Sequence, residues 1–451
     1  QVPGSQVPGS EVQRVGVSTV RGRLVDPVPE VPAPGEWFPG TTLLPGEAPT
    51  MTGSTGTSST GTQHMGDYNL RADLAGVARR ALANVQARTT DLADAVWLEP
   101  VSHYADQARH DREVDVLFHR TPLLLGLSCD WPEPGSFTTF DHIPDRPLVI
   151  ARGDDGVMRA FLNVCRHRGA RVVHESVGRS ARFRCPFHAW TYRNDGTLAG
   201  VPFREGFPGV DECTHSLAQV GCREWNGMVW VVPTAGAEVD LDSHLGDLAP
   251  LLAAYGFGRA ARFTANELPA TNWKLAVDTY LEGYHFASLH PNTINLINYD
   301  NSMVFDAYGP HSRQGFPRKN LLDLLSIPEA DWDVHHHLTC VHQLFPNVAF
   351  TVSPEGILIN AVYPGRRFDE SVTVQTHYTR APITTDAERE AMQKRADLVK
   401  SVVIDDDYWM TASIQAGTAS GAQGVVTFGR NEMGLHHYHR SLVAAVDRDN
   451  R

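Results

Sequence analysis

No run of apolar residues in this 451-residue chain approaches the roughly twenty needed to cross a bilayer. The first twenty residues also lack the apolar core of a secretory signal. A cytoplasmic protein with no membrane partner is the expectation. Cysteine is scarce: Cys129, Cys165, Cys185, Cys213, Cys222 and Cys340 are scattered too thinly for a secreted disulfide scaffold. In a reducing compartment, closely spaced Cys and His then point to metal. Positive charge is in deficit, with 39 Lys and Arg against 52 Asp and Glu and a net charge of −13, which argues against a nucleic-acid partner. Nicotinamide and flavin signatures are missing as well, since GFGRAA from Gly256 is not set in a strand–turn–helix unit. Beyond the opening QVPGSQVPGS there is no repeat.

What is present divides into four stretches. Residues 1–66 are rich in Pro, Gly, Ser and Thr and bury too little apolar surface to offset chain entropy, so they read as disordered, low-complexity chain. Residues 67–116 begin with Leu70, Leu74, Val77, Ala78, Leu82 and Val85 at helical spacing, the mark of an amphipathic helix. Residues 117–240 alternate in short strands, with DG or NG at the tips of PLVIARGDDGVMRAFLNV, WTYRNDGTLAGV and CREWNGMVWVVP, and predict a small antiparallel β domain. Residues 241–451 mix helical stretches with strand-like runs (NVAFTVS, GILINAVY, SVTVQTHYT), which predicts an antiparallel sheet packed on helices. The fold class is α+β.

Within the β stretch, Cys165-x-His167 is followed after seventeen residues by Cys185-x-x-His188. Each pair can grip one centre once strands bring the two loops together. By ligand type alone three readings stand: coincidence, a closed structural zinc held by two Cys and two His, or a Rieske [2Fe–2S] cluster with two Cys on one iron and two His on the other. His174, lone in the same stretch, reads as a surface residue.

Farther on, NWKLAVDTYLEGYHFASLHPNT places Glu282 three residues before His285 and His290 five after it, beside Pro291. Read as one helix ended by the proline, the segment presents two imidazoles and a carboxylate on a single face. In isolation such histidines are as often ordinary buried or surface residues, and Glu282 could be a solvated helix-face carboxylate.

The flanks CRHRGA and CPFHAWTY resemble the Rieske motif of the Rieske non-haem iron oxygenases, and the second segment resembles the catalytic motif of the same family. The resemblance covers residues 110 to 445, including the closing GRNEMGLHHYHRSL. It implies an N-terminal Rieske domain and a C-terminal helix-grip, START-like catalytic domain. Cys165, His167, Cys185 and His188 would hold the [2Fe–2S] cluster, and His285 and His290 a mononuclear Fe(II). The family's third iron ligand is a later Asp. Of Asp405, Asp406 and Asp407, the family's usual spacing from this Asp to a Gln-x-Gly, matched here by Gln415, implies Asp407, with Asp406 as the alternative. Many ring-dihydroxylating relatives carry Asp where Glu282 stands, and there it bridges an iron-binding His to a Rieske His of the neighbouring subunit. Sequences with Glu include members that oxidise or demethylate amines.

The implied protein is the terminal oxygenase of a multi-component system acting with O2 on an aromatic or related small organic substrate. Alternatives are a monooxygenase or demethylase of a methylated amine or ether, and a Rieske electron-transfer protein. Implied partners are an NAD(P)H-dependent reductase, with or without a ferredoxin, and further copies in a homotrimer, in part of the family with a small β subunit. His335, His336 and His337 read as loop residues, and Cys129, Cys213, Cys222 and Cys340 as small apolar packing.

Overall fold

The computed structural model describes residues 68–448. The expectation for residues 1–66 lies outside the described residues. The helix Leu70–Ala87 starts where the Asn69 side chain accepts the Ala72 N–H at 3.0 Å, which satisfies one of the orphan donors of its first turn. Its Leu74, Val77, Ala78, Ala81 and Leu82 are buried with Val304, Leu338 and Cys340, so this helix packs on the sheet that holds those three residues.

The first sheet has seven antiparallel strands, in the order Leu123–Leu127, Met228–Ala235, Gln219–Trp225, Met158–Leu162, Leu148–Arg152, Ser136–Phe140 and Val177–Arg179. The hairpin joining the second and third turns at Asn226 and Gly227, both with positive φ (49° and 79°), as a two-residue primed turn requires. A Cβ on Gly227 would lie 2.2 Å from the Gly258 backbone N, so only glycine fits there. A smaller sheet of Arg182–Arg184, Thr191–Arg193 and Leu198–Gly200 carries the second Cys–His loop. Phe137, Phe161, Phe183, Trp190 and Tyr192 form a core of their own behind the two loops.

The second sheet, also seven antiparallel strands, runs Ala261–Ala270, Ser371–Thr379, Ile357–Pro364, Val348–Val352, Leu338–Leu344, His311–Pro317 and Val304–Tyr308. On one face His342 stacks on Phe350 and meets Tyr255. The other face meets the iron-motif segments: Phe316 packs on Phe286, and Thr373 bonds the Tyr408 hydroxyl. One hydrophobic core extends from the first sheet (Leu123, Trp230) to the second (Phe350, Val362), with Trp273 and Tyr438 inside it. Among the described residues no helix is long and apolar enough to cross a membrane.

The structure corrects three local expectations. The 272–293 segment is not one helix: Trp273–Asp278 is followed by a break and then by the short helix Phe286–Leu289. The Glu282 carboxylate accepts the N–H groups of Tyr284 and His285, a local side-chain alternative to the helical ladder. His335, His336 and His337 lie in the short helix Val334–His337, with His335 buried and its pKa pushed down to about 4 by burial and the charge of Arg380. Of the four non-motif cysteines, Cys340 is buried in the core beneath the first helix and the half-buried Cys129 and Cys222 pack against the main core, as expected, but Cys213 is exposed.

Candidate active site and metal centres

The two Cys–His loops are built alike. In the first, the Cys165 N–H donates to Ala170 O (2.7 Å) and the Gly169 N–H to Cys165 O (2.9 Å). In the second, the Cys185 N–H donates to Trp190 O (2.8 Å) and the Ala189 N–H to Cys185 O (3.0 Å). Each closes through a left-handed residue, Gly169 (φ 79°) and Ala189 (φ 58°). The cysteines are buried, His167 is half-buried and His188 exposed, with the two imidazole rings 4.7 Å apart. Burial pushes the Cys185 thiol pKa up, and the neighbouring Cys165 adds to that, while the Phe187 and His188 N–H groups aimed at the sulfur work the other way. Two adjacent buried sulfurs facing backbone donors suit thiolates held by a cation. The Tyr192 hydroxyl lies 3.3 Å from the Cys165 sulfur and accepts the Arg166 N–H at 3.0 Å, and the Trp190 ring stacks on His167 at 4.9 Å. These donor and acceptor sets fit a Rieske cluster with its histidine side toward solvent.

Roles for Trp190 and Tyr192 were not assigned from the sequence, although both stand in CPFHAWTY. Their alternation on a strand that continues from the loop turns Tyr192 inward beneath the cysteines, and that alternation was the available signal.

The second centre forms around the break in the 272–293 segment. His285 and His290 flank Phe286–Leu289 as its two cap residues. Asp407 comes from a single wide π-turn, Val403–Tyr408, inserted between the helices Asp386–Val402 and Trp409–Thr418. Such one-residue expansions are common at functional sites. One ligand atom each from His285, His290 and Asp407 lies within 4.8 Å of the others. The Asp407 Oδ1 is 3.1 Å from His290 Nε2 and 3.7 Å from His285 Nε2. Asp407 is buried and, among the described residues, has no Lys or Arg partner, so its charge calls for another cation.

The outer ring nitrogens are held too. His285 Nδ1 bonds Glu282, and His290 Nδ1 lies 3.0 Å from Asp406. Asp406, weighed from the sequence as an alternative ligand, thus sits on the far side of the imidazole from Asp407. Carboxylates on Nδ1 fix each ring with Nε2 turned inward, the usual support of a metal-binding histidine. Burial would lower the His285 pKa, but the hydrogen bond and charge of Glu282, then Asp407, raise it instead.

A cleft of about 600 Å³ opens beside this pair, lined by the exposed Tyr284 together with Asn301, Thr427, Gly429 and Glu432. Burial pushes the Glu432 carboxyl up to about 7; the Gly429 N–H opposes this and the charges of Glu282 and Asp278 add to it.

Beneath the site lies a network that the sequence reading did not find. His439, fully buried on the helix Met433–Arg448, sits 2.9 Å from Asp278 and 3.3 Å from Glu99. The Tyr104 hydroxyl donates to Asp278 at 2.8 Å, and Glu99 also holds His103 (2.6 Å) and the Trp97 indole (2.8 Å). Burial alone would keep the imidazole neutral, but Asp278 and Glu99 push its pKa up to about 9. Three segments distant in sequence, around residues 97–104, at Asp278 and at His439, build this cluster, so no local motif announces it.

Two family models match successive parts of the chain: a Rieske [2Fe–2S] domain over residues 122–219 and the catalytic domain of a ring-hydroxylating alpha subunit over residues 257–448. The glycine betaine monooxygenase oxygenase subunit of Chromohalobacter salexigens is 32% identical over 238 residues, 52% of this chain and 50% of that protein. The chain thus spans about half the length of such relatives. It spans more of the carnitine monooxygenase oxygenase subunit of Acinetobacter baumannii, 27% identical over 366 residues, 78% of this chain and 95% of that one. Among solved structures, a quaternary ammonium Rieske monooxygenase in complex with L-carnitine superposes with a TM-score of 0.66 at 20% identity, covering 82% of this chain and 97% of that chain. A naphthalene 1,2-dioxygenase superposes at 0.63 and 17%, covering 77% and 92%. With a Rieske model and a catalytic-domain model fitting one after the other, the chain belongs to the α subunits of the Rieske non-haem iron oxygenases, which carry a [2Fe–2S] cluster and a mononuclear iron.

Proposed function

We propose that this protein is the oxygenase component of a multi-component monooxygenase that attacks a carbon attached to nitrogen in a small methylated or quaternary amine. The observation that carries the reading is the two-histidine, one-carboxylate triad of His285, His290 and Asp407, which leaves coordination positions free, unlike a closed four-ligand zinc site. Iron bound there supplies the place where dioxygen is reduced. Glu282 and Asp406 hold protons on the outer nitrogens of His285 and His290, keeping both Nε2 lone pairs free for metal. Each turnover takes two electrons and two protons with one O2; one oxygen atom enters the substrate and the other leaves as water. Hydroxylation next to nitrogen then releases the amine and an aldehyde.

The amine class is favoured by Glu282 in place of Asp and by the similarity to oxygenase subunits named for glycine betaine and carnitine. A second reading, ring hydroxylation of an aromatic substrate, draws support from similarity to the biphenyl 2,3-dioxygenase α subunit of Rhodococcus jostii, 34% identical over 145 residues. Electrons come from a separate cytoplasmic NAD(P)H-dependent reductase, with or without a ferredoxin. The working unit is a head-to-tail homotrimer in which His188 of one copy meets Glu282 of the next; the exposure of His188 and the position of Glu282 just below the exposed Tyr284 support that arrangement.

The test is oxygen uptake and 18O incorporation by iron-loaded protein with a surrogate reductase, on a panel of glycine betaine, carnitine, choline and aromatic acids. Near-stoichiometric aldehyde and amine formation on the quaternary amines is expected. Stoichiometric turnover of the aromatic acids alone would replace this reading with the second, and iron-loaded protein that consumes oxygen with neither class would overturn both.

A further inference from the structure

The second sheet sets a row of polar side chains beneath the iron segment. Ser312 stands opposite Gln343, Gln343 opposite Ala349, Ala349 opposite Asn360, and Asn360 opposite Gln375. Residues directly opposite share a face, and so do alternate residues along a strand. The row therefore shares its face with Gln314 and Phe316 at one side and with Thr373 at the other. Phe316 packs on Phe286, next to His285, and Thr373 bonds the Tyr408 hydroxyl, next to Asp407. The triad is anchored to this face at those two points, and the row lies between them. A Cβ at Gly434 would lie 2.2 Å from Leu281 O and 3.0 Å from Gln314 Nε2, which puts Gln314 close under the turn leading into Glu282.

Gln314, Gln343 and Gln375 are fully buried. The Gln314 NH2 donates to the Ser312 hydroxyl at 2.8 Å and the Gln375 NH2 to Asn360 Oδ1 at 3.1 Å. The carbonyl oxygens of both, and both polar ends of Gln343, have no hydrogen-bond partner among the described residues. Buried polar groups are paired as a rule, because each unpaired one destabilises the fold. Three unpaired carbonyl oxygens on one sheet face, under a metal triad, point to a ligand that satisfies them. An aromatic hydrocarbon would cover them and leave them unpaired. A quaternary ammonium group suits them: it has no N–H, and its charge is spread over methyl hydrogens that meet the negative ends of amide dipoles in C–H···O contacts. Ala349, the smallest side chain of the row, keeps its middle shallow.

We propose that Gln314, Gln343 and Gln375 select the substrate by its positive charge, their carbonyl oxygens facing the methylated nitrogen while one of its methyl groups points at the triad. The inference rests on the amine reading and names the residues that would enforce it. Gln343, unpaired at both ends, also offers its NH2 to an oxygen of the same substrate. The row is neutral, so it holds a cation by dipoles alone, without a carboxylate that would pair with the triad's metal or raise the charge of the site.

The test is calorimetric binding to the iron-loaded holoenzyme without oxygen, using two probes of one shape. Glycine betaine carries a trimethylammonium group, and 3,3-dimethylbutanoate carries a neutral tert-butyl group in its place. The wild type should bind glycine betaine tighter by about tenfold or more. Gln343→Met and Gln375→Met keep the side-chain length and remove the carbonyl. Each should weaken glycine betaine binding about tenfold and leave dimethylbutanoate binding equal or tighter. The melting temperature of Gln343→Met should hold or rise, because the variant loses an amide that had no partner. Equal loss of both probes in the two variants, or a fall in the Gln343→Met melting temperature with the preference for glycine betaine intact, would overturn the proposal and leave the amides a structural role. If wild type and variants prefer glycine betaine alike, the amine reading stands and these residues do not enforce it. If the wild type shows no preference, or binds dimethylbutanoate alone, the amine reading falls and takes the proposal with it.

Discussion

His439 offers a test of how the protein keeps its iron segment in place. Its imidazole is fully buried between Asp278 and Glu99, and its pKa is raised from an ordinary 6.5 to about 9. Each pKa unit is worth about 1.4 kcal/mol, so the shift corresponds to about 3 kcal/mol of stability. Because the folded pKa is the higher one, that stability is fully present below pH 6.5 and is lost as pH rises through 9. For a domain of about 200 residues, about 3 kcal/mol is roughly 6–12 °C in melting temperature. His439→Gln removes the charge and leaves the buried Glu99 and the half-buried Asp278 without the cation they share, a cost of about 3–5 kcal/mol at pH 7. The measurement is thermal unfolding at fixed scan rate between pH 6.5 and 9.5. The wild type should lose its advantage over His439→Gln as pH rises, and the variant's iron content should fall, because Asp278 closes the helix that leads to Glu282. A constant gap between the two proteins across this range would refute the charged-imidazole argument.

Other expectations follow from the same geometry. His290→Ala or Asp407→Ala should abolish product and mononuclear iron binding while the Rieske paramagnetic signal remains; an unchanged product yield would take the triad out of the chemistry. Asp406→Asn should keep the ligand set but weaken iron binding about 10- to 100-fold, measured by competition with a chelator. Tyr192→Phe removes a hydrogen bond to the Cys165 sulfur and should lower the cluster potential by about 40–60 mV, roughly 1–1.4 kcal/mol, in a spectroelectrochemical titration. Ala189 holds a left-handed conformation at φ 58°, so Ala189→Gly should relieve about 1 kcal/mol and slow thermal loss of the cluster, followed by its visible absorbance.

The sequence is most legible where chemistry and local geometry coincide. The two Cys–His pairs at short spacing sit at loop tips, and the hairpins on either side of them are written in Asp-Gly and Asn-Gly dipeptides whose turns the structure contains. The iron segment was harder. Its residue spacing suggested a helical face, yet Glu282 takes the Tyr284 and His285 N–H groups for itself, so the chain leaves the helix between Asp278 and Phe286 and His285 and His290 converge from the two ends of a single short turn. Helical periodicity locates apolar faces, but it carries no information about a carboxylate that prefers backbone donors. The same limit explains Asp406 and Asp407, neighbours that a regular helix already points in different directions. The π-turn fixes which of the two reaches both histidines, and that turn depends on how the 386–418 helices lie across the sheet, with the Tyr408 hydroxyl bonded to Thr373 and Tyr280. A residue's identity as a potential ligand is therefore local, whereas the choice between adjacent candidates is tertiary. Changing Thr373, far from either metal motif in sequence, should disturb the iron site through Tyr408 and leave the cluster loops as they are.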